Sequence, residues 1–145
     1  MYRFARPLFA VLLGAGAVFG VSTAGQAADL GAYVGDPGVC GQSWVLGKIT
    51  SRFRHQVNNV PNLPNVQILD FQGIHENRYL PAEEDRPIGR RYCGATAVMS
   101  DGQGRDIWYL IEEGQGLASI GDNVEFCVSG FDRWYVYNGR CRVLR

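Results

Sequence analysis

The sequence predicts an α+β domain in which one helix packs on a curved antiparallel sheet of five to six strands. Three observations carry this reading. Residues 43–60 place apolar side chains at helical spacing, while the chain from Val66 onward shows the alternation and β-branched content of strands. The turns between those strand segments are too short for parallel crossovers, so neighbouring strands must run antiparallel. One amphipathic helix lying across such a sheet buries the apolar surface of both elements. A small closed β-barrel plugged by the helix is the alternative, because "GDNVEF" (Gly121–Phe126) suits a barrel strand.

The chain has 145 residues, with 14 basic and 14 acidic side chains. Arg3 and Arg6 precede an apolar run over Leu8–Val21, and Gly25 and Ala27 occupy the small-residue positions of a signal-peptidase site. Residues 1–27 therefore read as a secretory signal cut after Ala27, too short for an apolar span of about 20 residues. An exported chain of 118 residues remains (145 − 27), of a size for one domain. Its charge is −2, because 12 cations face 14 acids once Arg3 and Arg6 are gone. Near-neutrality gives no electrostatic basis for nucleic-acid binding. No later run is apolar enough to cross a bilayer, so no stable membrane insertion is expected after cleavage.

Residues 28–39 hold a turn signal at Asp36-Pro37-Gly38 and little periodicity, and read as a flexible lead into a domain over residues 40–145. In "SWVLGKITSRFRHQVNNV", Leu46, Ile49, Phe53 and Val57 line one side of a helix with Ser43 as N-cap and Asn58-Asn59 at its end. At 100° per residue Lys48, Arg52 and His55 gather on the opposite side, as a solvated face or a docking surface for an acidic partner. Pro61 and Pro64 stop the helix. Val66–Leu80 reads as a strand with a bulge at Gly73, and "PAEEDRPIG" as an acidic loop. Arg90–Met99 alternates Cys93, Ala95, Ala97 and Met99 against Tyr92, Thr96 and Val98. Arg105–Glu113 puts Ile107, Tyr109 and Ile111 on one face, and Val124, Phe126 and Val128 share a face of the next strand. "RWYVY" and "RCRVL", joined by Asn138-Gly139, read as a closing hairpin. A helix followed by such a meander is the arrangement of cystatin-like and NTF2-like folds.

Four cysteines, Cys40, Cys93, Cys127 and Cys141, in an exported chain read as two disulfides. Structural zinc sites bring ligands in close pairs; here the nearest two are fourteen residues apart (Cys127 and Cys141), so no metal and no other cofactor is expected. Of the three possible pairings, Cys40–Cys93 with Cys127–Cys141 is preferred. The pairing stays open, because an ideal hairpin sets Cys141 opposite Val136 with Cys127 a further strand away, beyond the Cα separation of about 7 Å that a disulfide spans.

Catalytic templates fit poorly. His75-Glu76 begins a zincin motif, but Tyr79 stands where the second histidine belongs. "GLASIG" resembles a nucleophile elbow with Leu117 in place of its glycine. "CGQSW" puts Ser43 where a papain-type nucleophile would sit, and "DGQGRD" lacks the acids of a calcium loop. His55 and His75 lie on different elements, and Glu112 and Glu113 point to opposite faces of a strand.

The remaining feature is aromatic and cationic. In the expected hairpin, Arg133, Tyr135, Tyr137, Arg140 and Arg142 share one face, while Trp134, Val136, Cys141 and Val143 turn to the core. Tyrosine and arginine stack on one another at surfaces and are also enriched in interfaces. "VPNLPNV", "PIGRRYCGA", "WYLIEEGQG" and "IGDNVEFCVSGFDRWYVYNGRCRVLR" resemble a family of small exported alphaproteobacterial proteins of unknown function, a likeness spanning roughly residues 40–145 that implies a periplasmic setting and no activity. The expected function is therefore non-catalytic: binding an envelope protein or a small ligand, through the Tyr/Arg face or a pocket between helix and sheet. The alternative is a small periplasmic enzyme using His75 or His55 with a nearby carboxylate.

Overall fold

A computed structural model of the protein describes residues 38–145. The expected signal peptide and most of the expected flexible lead lie outside these residues. A 3₁₀ turn over Gly38–Gly41 enters helix α1 (Ser43–Asn59). Four strands follow: β1 (Ile68–Leu80), β2 (Arg90–Met99), β3 (Gly104–Glu112) and β4 (Asn123–Val128). They form one antiparallel sheet in the order β1-β2-β3-β4. β1 and β4 are its free edges, so the sheet is open and not a barrel.

The alternation expected of β2, β3 and β4 is the one observed. Ala95, Ile107 and Val128 stand in one cross-strand row, and Cys93, Tyr109 and Phe126 in the next. With Ala97, Met99, Ile111 and Val124 they make the front face, against which α1 packs. The helix stripe is Val45, Ile49, Phe53 and Val57, a strict four-residue spacing, and Leu46 is only half-buried. Phe53 meets Phe126 and Phe131 edge to face, with ring centroids 6.5 Å and 4.9 Å apart. Gly73 has φ +59 and a register shift between Gln72 and His75, the expected bulge.

The polar stripe of α1 differs from expectation. Lys48, Arg52 and Gln56 recur every fourth residue, about 100° around the helix from Ile49, Phe53 and Val57, so they flank the apolar stripe. Each donates to a backbone carbonyl at the β4 edge: Lys48 to Asp122 at 2.8 Å, Arg52 to Val124 at 2.5 Å, and Gln56 to Phe131 at 2.9 Å. Two of the cations expected to face solvent thus serve carbonyls of an edge strand and the segment around it, which no further strand pairs. His55 alone of the three stays with the helix end, sharing a hydrogen bond with Asn59, whose amide also donates to the His55 carbonyl.

Both disulfides form, as preferred. Cys40–Cys93 joins the turn before α1 to β2, with Cα atoms 5.9 Å apart. Beside it the Tyr109 hydroxyl donates to the Cys40 carbonyl at 2.8 Å. Burial pushes that hydroxyl well above the usual phenol range. Cys127–Cys141 lies on the other face of the sheet, with Cα atoms 5.7 Å apart. There Leu110, Cys127, Cys141 and Leu144 form a second, smaller core with Tyr92, Trp108 and Tyr137 against it.

The expected closing hairpin is absent, and the described residues hold four strands where five to six were expected. Residues 129–138 are turns, and Gly139–Leu144 is 3₁₀. Two causes are visible. The Asp132 carboxylate accepts from the backbone amides of Val136 (2.8 Å) and Tyr137 (3.0 Å), winding the chain into a local turn. Tyr135, Asn138, Arg140 and Cys141 have positive φ, which breaks the extended backbone a strand needs and carries Cys141 back to Cys127. The geometric difficulty of the pairing is resolved by giving up the hairpin.

Candidate functional site

The segment after β4 crosses from one face of the sheet to the other. Phe131 belongs to the front core; Cys141 and Leu144 belong to the back core. Arg145 lies over the Trp108 ring on the back, its guanidinium carbon 4.2 Å from the ring centroid. Between these anchors the chain bulges outward. Trp134, Tyr135, Val136 and Val143 are 64%, 72%, 68% and 57% exposed. Trp134, Val136 and Val143 were expected in the core; without the hairpin they stand in solvent instead. The sequence signals that could have shown this, and went unread, are Gly130 and Asp132, the latter placed to bind amides four and five residues on.

Two clefts flank this crest. One, of about 260 Å³, opens between α1 and the crest and is lined by Arg52, Gln56, Phe126, Phe131, Trp134 and Tyr137. The other, of about 410 Å³, opens between the Asn62–Pro64 turn and the crest, with Ser129, Asp132, Arg133, Tyr135 and Arg140 on its walls. Arg133, Tyr135 and Arg140 therefore come together, as the sequence pattern suggested, though on turns and not on a strand. Tyr137 does not join them. It turns toward the back core, where burial, with smaller contributions from Glu125 and Asp132, pushes its hydroxyl up. Arg142 donates to the Asn138 side chain at 3.2 Å.

A third cleft, of about 690 Å³, lies at the N-terminal end of α1 and is lined by Trp44, Lys48, Arg91, Glu113, Ile120 and Asp122. Its polar groups are already engaged. Lys48 donates to the Asp122 carbonyl, Arg91 pairs with Glu76 and lies 3.9 Å from the Tyr79 ring centroid, and Glu113 accepts from the Tyr79 hydroxyl at 3.0 Å. That bond holds the Tyr79 hydroxyl above its ordinary range. Glu112 pairs instead with Arg90, so the two adjacent carboxylates part as strand geometry requires.

The histidines sit elsewhere. His75 lies on the back of the sheet directly over Gly94, where an added Cβ would come within 2.7 Å of its Nε2. Its Nδ1 is 2.7 Å from the Gly73 carbonyl. Among the described residues neither histidine meets a carboxylate, and neither lines any of the three clefts. No group of three or more metal-ligating side chains gathers among the described residues, and no helix there is long and apolar enough to cross a membrane. Two disulfides mark a chain that matures in an oxidising environment. No protein family, curated protein or solved structure matches this chain.

Proposed function

We propose that the protein is a non-catalytic binding module of the periplasm, and that residues 129–145 form its contact surface. The observation that carries this is the crest itself: four large apolar side chains, each more than half exposed, on one segment held by a disulfide and two buried anchors. Exposed aromatics on a rigid support lose little conformational freedom on binding, the property that makes them interface anchors. Charge indicates the partner. From Arg133 to Arg145 the chain carries four arginines and no side-chain carboxylate, which suits an envelope protein with an acidic contact surface. The helix-then-meander order, the resemblance to exported alphaproteobacterial proteins and the signal-like residues 1–27 support the cystatin-like or NTF2-like assignment and the compartment.

A photoreactive amino acid placed at position 134 or 136 of the exported chain tests this. Crosslinks to one defined envelope protein are expected from both positions and from neither Asn58 nor Asp70, exposed controls on α1 and β1. Equal labelling from all four positions would show that the crest has no partner.

A further inference from the structure

The geometry points to the cleft between the Asn62–Pro64 turn and the crest as an oxyanion site, taking a carboxylate or phosphate group of the ligand. This rests on the reading of residues 129–145 as a contact surface and names the chemistry that one part of it recognises.

The first argument is an accounting of arginines. Among the described residues, Arg86, Arg90, Arg91 and Arg105 are in ion pairs. Arg78 and Arg145 lie over the rings of Tyr92 and Trp108, and Arg52 and Arg142 donate to protein oxygens. Three are left without a hydrogen bond, ion pair or ring contact: Arg54, Arg133 and Arg140. Two of those three line the same cleft. Its carboxylate, Asp132, is turned to other work, since each of its oxygens already accepts from a backbone amide. The side chains of Asn62, Ser129 and Tyr135 add neutral donors to the same walls, and none of the three makes a side-chain hydrogen bond within the described residues. Two free guanidiniums with hydroxyl and amide donors around one space are the complement of an oxyanion.

The second argument is backbone conformation. Among the described residues, seven non-glycine residues have positive φ, and four of them line this cleft: Asn62, Tyr135, Arg140 and Cys141. Such conformations are unfavourable for residues with a side chain and gather at ligand clamps, where the surrounding structure holds them. Here the Cys127–Cys141 disulfide holds Arg140 through its neighbour, so the cleft is organised before any ligand arrives.

The test needs no partner protein. The mature chain is titrated with inorganic phosphate and, separately, with acetate at constant ionic strength, following backbone amides and arginine Nε–H signals by NMR. Saturable shifts are expected at Ser129, Gly130, Arg133 and Arg140. Arg133→Gln or Arg140→Gln should weaken binding about tenfold, the loss of one charge-assisted contact, and Arg54→Gln should change nothing. Arg133 has an ordinary backbone conformation, so R133Q tests the site even where R140Q disturbs the turn. Tighter phosphate binding assigns a phosphoryl group, and tighter acetate binding an acidic side chain. Shifts that grow linearly and equally at Arg54, or wild-type titration of both cleft variants, overturn the site. Crosslinking from position 134 can succeed while this titration fails, so the contact surface and the oxyanion site fail separately.

Discussion

The two faces of the sheet are built by different means. On the front, seventeen mutually packed buried residues bring a helix of seventeen residues, all four strands and the turn before the helix into one core. On the back, four buried residues and three partly buried aromatics hold down a segment without regular strand structure. Each face has its own disulfide, but the bridges close loops of unequal length: Cys40 and Cys93 are 53 residues apart, Cys127 and Cys141 only 14. The front bridge ties together a core that already has area to bury. The back bridge replaces area that the segment lacks. The exposed crest follows from this difference, because a segment stapled at one point can leave its large apolar residues in solvent and still keep its place.

Removing the front bridge by Cys40→Ala with Cys93→Ala should have the largest effect. Loop-closure entropy makes it worth about 4 kcal/mol, and the loss should appear in chemical denaturation as a lower midpoint for the whole domain. Cys127→Ala with Cys141→Ala comes next, at about 3 kcal/mol on the same arithmetic, but its effect should be confined. Amide exchange should accelerate over residues 129–145 while β2, β3 and α1 stay protected. If the helix and sheet lose protection together with that segment, the two faces are not separate units and the comparison fails.

Alkali separates the faces in another way. The hydroxyls of Tyr109 on the front and Tyr137 on the back both have raised pKa values, and for both the first cause is burial. The folded chain keeps phenolic protons that the unfolded chain gives up. Stability from these groups is fully present below about pH 10, the ordinary phenol value, and falls as pH rises beyond it. Denaturation midpoints should therefore drop above that pH, and Tyr109→Phe should flatten the decline more than Tyr137→Phe, since Tyr109 is the more deeply enclosed. Equal flattening would place the two hydroxyls in equivalent surroundings.

The smallest effect concerns the seam where α1 meets the edge of β4. Arg52→Ala removes the bond to the Val124 carbonyl and a longer one to the Asn123 side chain, and should cost about 1 kcal/mol. Its sharper readout is the Val124–Val128 strand, whose amide exchange should rise more than that of β2. Exchange that rises first in residues 133–143 would show instead that the helix supports the crest through Gln56 and Phe131.

Much of the front face was legible beforehand, and particular residues show why. Cys93, Ala95, Ala97 and Met99 alternate because one side of β2 must be apolar, and Ile49, Phe53 and Val57 recur because a helix has one buried stripe. Both patterns are local consequences of backbone period. Gly73 announced its bulge for the same reason. The binding of Lys48, Arg52 and Gln56 to β4 was not legible, since a polar stripe looks alike whether it meets water or an edge strand. Residues 133–143 misled most. Their alternation and the Asn138-Gly139 pair meet every local condition for a hairpin, and only Gly130 and Asp132, just before them, signalled against it.

By itself, then, the order of residues settled the helix, the strand character of Val66–Leu80, the inward and outward sides of β2, β3 and β4, and a cysteine count suited to two bridges, because each depends on neighbours within a few positions along the chain. Tertiary structure alone decided how residues 129–145 cross the sheet and which of their side chains stand in solvent. Closing Cys127 onto Cys141 requires a backbone that the Asn138-Gly139 hairpin register cannot supply, and that demand comes from across the sheet.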